Sequence, residues 1–108
     1  MTNKKINLRK VLNMRKITLS RPQKVLLPFS KGKIIVNGNE CAVVKAGKTV
    51  VFEVPDDARD IQVIFAGLPP TNSNVLFINQ IEGDISLEVK ITVPLSNEVP
   101  TYAELKII

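Results

Sequence analysis

The sequence predicts an all-β domain, a single antiparallel β-sandwich of about 7–9 short strands, preceded by a basic N-terminal arm or short helix. Three observations support this. Val50, Phe52 and Val54, then Ile61, Val63 and Phe65, then Leu87, Val89 and Ile91 recur at every second position, the period of strands with one buried face. Clusters of Gly, Pro, Asn and Asp punctuate these runs at short intervals. At 108 residues and 44% hydrophobic content, the chain has enough apolar side chains for one core. Residues 1–16 are expected to form the arm and residues 17–108 the sandwich. The expected core is Val50, Phe52, Val54, Ile61, Val63, Phe65, Phe77, Leu87, Val89 and Ile91.

In chain order, Asn3 to Lys16 fits either a short basic helix or an edge strand, and we favour a helix or irregular arm. Lys16 to Ser20 alternates and stops at Arg21-Pro22. Lys24 to Phe29 alternates again, with Pro28 confining it to an edge. Asn37-Gly38 sits between the apolar runs Ile34–Val36 and Cys41–Val44 and predicts a two-residue hairpin turn of type I′. Cys41 is expected to be a thiol packed within its strand. The strands Thr49–Val54 and Ile61–Phe65 flank a polar stretch beginning at Pro55 and are expected to pair as a hairpin. Gly67 to Asn74 is dense in turn formers and predicts a surface loop. Val75 to Ile81, apolar on both faces, predicts a central strand, and Glu82-Gly83-Asp84 turns it. Ile85 to Val93 alternates without a fault, and Thr101 to Ile108 adds a last strand.

The chain contains no histidine, which excludes Ser-His-Asp and Cys-His nucleophile arrangements and His-bearing zinc sites. No serine sits on a glycine-flanked elbow, and no glycine-rich phosphate loop precedes a helix. Asp56, Asp57 and Asp60 lack the alternating spacing that wraps a calcium ion. The expected protein is therefore not an enzyme and needs no cofactor, metal or small-molecule substrate. A lone cysteine allows no internal disulfide. Polar residues interrupt the first ten positions, so no export signal is evident. No apolar run exceeds four residues, against roughly 20 for a membrane helix. A cytoplasmic location is expected.

Charge is the one feature that points to function. Residues 1–48 hold twelve Lys/Arg and one acid, Glu40, whereas residues 49–108 hold three Lys/Arg and nine acids. Lys4, Lys5, Arg9, Lys10, Arg15 and Lys16 form the candidate binding segment. Two functions fit this asymmetry. In the favoured one, the domain is a protein-interaction or assembly module whose basic half meets an acidic surface, bearing Glu82, Asp84 and Glu88, on another copy or another protein. In the alternative, the segment binds a polyanion, either nucleic acid or an anionic membrane surface, through counterion release. The segment has no aromatic residue for base stacking, the first in the chain being Phe29. The same charges are also compatible with simple solvation or with pairing inside the molecule.

From Ile34 to Phe65 the chain resembles the small sandwich domains of the PEGA-like type. The resemblance rests on the extended pair closing on Val36-Asn37-Gly38, the Ala46-Gly47-Lys48 turn, the strand end Phe52-Glu53-Val54-Pro55, and the strand Ile61 to Phe65. Where that family carries a Gly-x-His type turn after the proline, this chain has Asp56 to Asp60. The resemblance implies a non-enzymatic adhesive or scaffold module.

Overall fold

The computed structural model describes residues 14–22, 31–66, 71–92 and 101–108, which contain nine strands and no helix. In order these are β1 (Met14–Ser20), β2 (Lys31–Val36), β3 (Asn39–Lys45), β4 (Thr49–Pro55), β5 (Asp60–Phe65), β6 (Thr71–Asn72), β7 (Leu76–Phe77), β8 (Ile85–Thr92) and β9 (Tyr102–Ile107). The expected arm or helix before Met14 and the expected strand Lys24–Phe29 lie outside the described residues. The boundary expected at residue 16 falls inside β1.

Two sheets form. The four-stranded sheet has the order β4-β1-β8-β9, and the five-stranded sheet has the order β3-β2-β5-β6, with β7 also pairing β5. One apolar cluster draws on both sheets, with Ile17, Leu19, Leu87 and Leu105 from the first and Ile34, Val44, Val63 and Phe65 from the second. The pairing is not wholly antiparallel as expected, because β1 runs parallel to β8 from Ile17–Ile85 to Ser20–Glu88. Antiparallel order is natural for strands joined by short turns, but β1 and β8 are separated in sequence by the whole of the other sheet and by β4. That separation leaves room for the long connection a parallel pair requires.

The Asn37-Gly38 turn forms as predicted, with φ of 52° and 83°, and closes the antiparallel pair β2–β3. A bulge opposite Ile35 follows it, since Ile34 faces Ala42 while Ile35 faces Glu40. The expected β4–β5 hairpin does not form. β4 pairs with β1 along its whole length, and β5 pairs with β2, so the two strands belong to different sheets. The Pro55–Asp60 connection carries the chain from one to the other. Ala58 N–H donates to Pro55 O at 3.0 Å, the Ala58 side chain is buried, and the Asn37 side chain accepts Arg59 N–H at 2.7 Å. Alternation could not separate the two outcomes, because strands facing each other across a core show the same period as paired neighbours.

Two further corrections concern residues 71–81. Thr71 and Ser73, expected in a surface loop, are buried, and β6 pairs with β5. Ser73 Oγ accepts Val63 N–H at 2.9 Å, so a hydroxyl supplies the acceptor that a longer strand would have provided. The expected central strand Val75–Ile81 shrinks to Leu76–Phe77 at the sheet margin. Phe77 is 66% exposed and leaves the expected core, while Ile78 is fully buried in its place. Ile78 N–H donates to Arg59 O and Ile81 N–H to Ile78 O, so the chain turns here and does not extend. The remaining expected core residues hold, with Val50, Phe52 and Ile91 partly buried against the cluster.

Candidate functional site

Of the six basic residues singled out in the sequence, Lys4, Lys5, Arg9 and Lys10 lie outside the described residues. Arg15 and Lys16 are neighbours on β1, and the strand period sends them to opposite faces. Arg15 joins Ile17 and Leu19 on the inner face and is 4% exposed. Its Nη2 donates to Ile78 O at 2.8 Å, and its Nη1 donates to Ile81 O. The guanidinium thus ties the turn before β8 to β1 and is unavailable to an external anion, which removes Arg15 from the candidate segment. Arg21, the residue immediately after β1, is also buried. It stacks 4.8 Å from the centroid of the Phe65 ring, and burial pushes its pKa down from the ordinary value. A guanidinium stays charged even so.

Lys16 is exposed, but its surroundings are acidic. Glu53 stands opposite it on β4, and its backbone N–H donates to Asp84 Oδ1 at 2.9 Å. The same pattern continues across the outer face of the four-stranded sheet. Lys90 faces Glu104 in the β8–β9 register, and Lys106 Nζ lies 3.8 Å from Glu88 Oε1. Asp84 and Glu88, expected on a surface receiving a partner's basic half, are met within the same chain. The described residues contain ten Lys/Arg and nine Asp/Glu, so most of the net charge of +5 resides outside them.

The outer face of the five-stranded sheet is different. Lys31 stands directly opposite Lys45, and Lys33 opposite Val43. On the other side Lys33 faces Ile64, Ile35 faces Gln62, and Asp60 faces Phe77. Partners in a register share a face, so Lys31 and Lys45 form one row, Val43, Lys33 and Ile64 the next with Lys33 in the middle, and Glu40, Ile35 and Gln62 the third, with exposed Phe77 beyond. Glu40 reaches Lys33 at 3.9 Å, and Asp60 has Arg59 beside it at 3.6 Å. Two like charges directly across a strand pair cost stability. Reading the sequence missed this face because Lys31 and Lys33 looked like the polar lead-in to a strand, and nothing in the period tells an outward Ile35 from an inward Ile34.

Cys41 lies in the bulged stretch of β3 and is exposed, contrary to the packed thiol expected. It shares the outward parity of Val43 and Lys45, while Ala42 and Val44 turn toward the core. Partial desolvation, and then the Glu40 carboxylate, push its pKa above the ordinary value, so it remains a thiol at neutral pH. Among the described residues, no group of three or more Cys, Asp or Glu could hold a metal ion.

No family model matches the chain, and no curated protein matches it. A solved structure does: an NMR structure of a protein from Eubacterium rectale, at a TM-score of 0.51 and 11% sequence identity, covering 88% of each chain. At that identity the likeness is one of fold.

Proposed function

We propose that this domain is a non-enzymatic, β-sandwich-like interaction module that binds an acidic surface of another protein through the outer face of its five-stranded sheet. The observation that carries this reading is the outward patch in which Val43, Ile64 and Ile35 lie around Lys33, with Lys31 and Lys45 in the adjoining row. Apolar side chains interspersed with cations offer a partner both apolar burial and charge pairing, and an acidic partner would offset the repulsion between Lys31 and Lys45. The resemblance of residues 34–65 to PEGA-like domains points the same way. The test is comparative capture from native extract, using the unaltered protein, Ile64→Glu and Lys90→Glu. A protein retained by the first and third and lost from Ile64→Glu supports the reading. Identical recovery on all three would overturn it.

The polyanion alternative is favoured by a separate observation, the concentration of net positive charge outside the described residues. It requires binding to duplex DNA, single-stranded RNA or anionic vesicles that falls steeply with salt. Replacing Lys4, Lys5, Arg9 and Lys10 by Gln should abolish that binding, and retention of it would reject this alternative.

A further inference from the structure

A sheet edge presents unpaired backbone N–H and C=O groups, and soluble proteins blunt such edges by covering them, shortening them, bulging them or charging them. Three of the margins here are treated in this way. Along β9, the Asn74 side chain imitates a strand: its Nδ2 donates to Leu105 O at 3.0 Å and its Oδ1 accepts Leu105 N–H at 2.8 Å. Ser73 bridges Ala103 beside it. The margin formed by β6 and β7 consists of two-residue strands. β3 carries the bulge opposite Ile35 and ends in Lys45.

β4 lacks the cover, the shortening and the bulge, and its one charge is Glu53. It is seven residues long and pairs only with β1 among the described residues, in a register without a shift. It contains no lysine or arginine, and its single proline is the last residue. Thr49, Val51 and Glu53 are exposed on its outer face, Val51 by 55%, and Val50 and Phe52 are only half-buried on the inner one.

We propose that β4 pairs with β4 of a second copy, antiparallel about a twofold axis centred on Val51, continuing the four-stranded sheet into one of eight strands. A second copy fits because an isologous contact requires a strand compatible with itself. In this register Val51 meets the partner's Val51, and Glu53 meets the partner's Thr49, whose hydroxyl can donate to the carboxylate. Val50 meets the partner's Phe52, so two half-buried apolar residues are covered together as a cross-strand pair. No like charges fall opposite each other, because the only charged residue of β4, Glu53, meets Thr49 in this register, and within its own sheet it faces Lys16. A contact of one strand is small, so the dimer belongs to the weak class of specific interfaces.

This pairing does not depend on the lysine-bearing face of the five-stranded sheet. Sedimentation velocity from about 5 µM to about 500 µM should show the unaltered protein passing from monomer to dimer. Val51→Lys, which sets two lysines face to face at the twofold, should remain a monomer throughout while keeping the same circular dichroism. A second measurement needs no variant: backbone N–H groups of β4 that point away from β1 should exchange more slowly with deuterium as concentration rises. An unaltered protein that stays monomeric at the highest concentration, a Val51→Lys dimer of equal strength, or β4 exchange independent of concentration would each overturn the proposal. Val51→Lys leaves Ile35 and Ile64 untouched, so capture of an acidic partner by that variant reports on the five-stranded face separately.

Discussion

On the outer face of the four-stranded sheet, Lys16 stands opposite Glu53, Lys90 opposite Glu104 and Lys106 opposite Glu88. On the five-stranded sheet, Lys31 stands opposite Lys45, and Lys33 shares its row with Val43 and Ile64. The first face meets its own electrostatic needs and presents little that a partner could improve. On the second, the acids among the described residues are Glu40 and Asp60, and each lies next to a basic residue, Lys33 and Arg59. The contrast shows that the charge asymmetry along the chain is not a charge asymmetry between surfaces. β1, from the basic half, is inserted between β4 and β8 of the acidic half, while β2 and β3, also from the basic half, lie side by side.

Four substitutions probe this contrast, beginning with the largest effect. Arg15→Ala should cost about 3 kcal/mol, because it orphans the carbonyls of Ile78 and Ile81 and opens a void on the inner face of β1. Since the released turn follows Phe77 directly, the variant should also weaken capture by the five-stranded face. Urea denaturation reads the first effect, and a loss below about 1 kcal/mol would mean the clamp is dispensable.

Gly32→Ala should cost roughly 1–3 kcal/mol by overpacking. A Cβ there would lie 2.7 Å from Phe65 Cε1 and 2.9 Å from Val63 Cγ1. Phe65 has little room to withdraw, being fully buried with the Arg21 guanidinium over its ring. The damage should be confined to the five-stranded sheet, with amide protection falling first in β2 and β5. Equal loss across both sheets would indicate a single cooperative unit.

The smallest effects are the most diagnostic, because the two faces should respond to charge reversal with opposite sign. Lys106→Glu breaks a cross-strand pair and should cost about 0.5 kcal/mol. Lys45→Glu replaces a repulsion with an attraction to Lys31 and should stabilise by a few tenths of a kcal/mol. Both follow from thermal or urea midpoints at low salt, and a matching sign for the two would dissolve the distinction between the faces.

Much of the strand content was legible, and most of the site was not. The uninterrupted alternation from Ile85 and the Asn37-Gly38 turn are local signals, complete within a few residues, and both appear where the sequence placed them. Arg15 was misread because its environment is supplied by Ile78 and Ile81, more than sixty positions away. Phe77 was misread for a related reason. Its neighbours are all apolar, so the period does not say which of Phe77 and Ile78 faces inward, and the bond from Ile78 N–H to Arg59 O decides it.

By itself the sequence determined that the chain forms strands, where the β2–β3 turn falls, which side chains of β5 and β8 share a face, and that no histidine-dependent chemistry is available. These are properties of single segments, set by side-chain period, backbone conformational preference and residue type. Tertiary structure alone decided that β4 joins β1 and not β5, that β1 lies parallel to β8, that Asn74 covers β9 and that the lysines of β2 and β3 confront one another. The physical reason is that a period of two specifies a face and leaves the partner open. The neighbouring strand is chosen by the summed burial and hydrogen bonding of the whole core, to which distant residues contribute as much as adjacent ones.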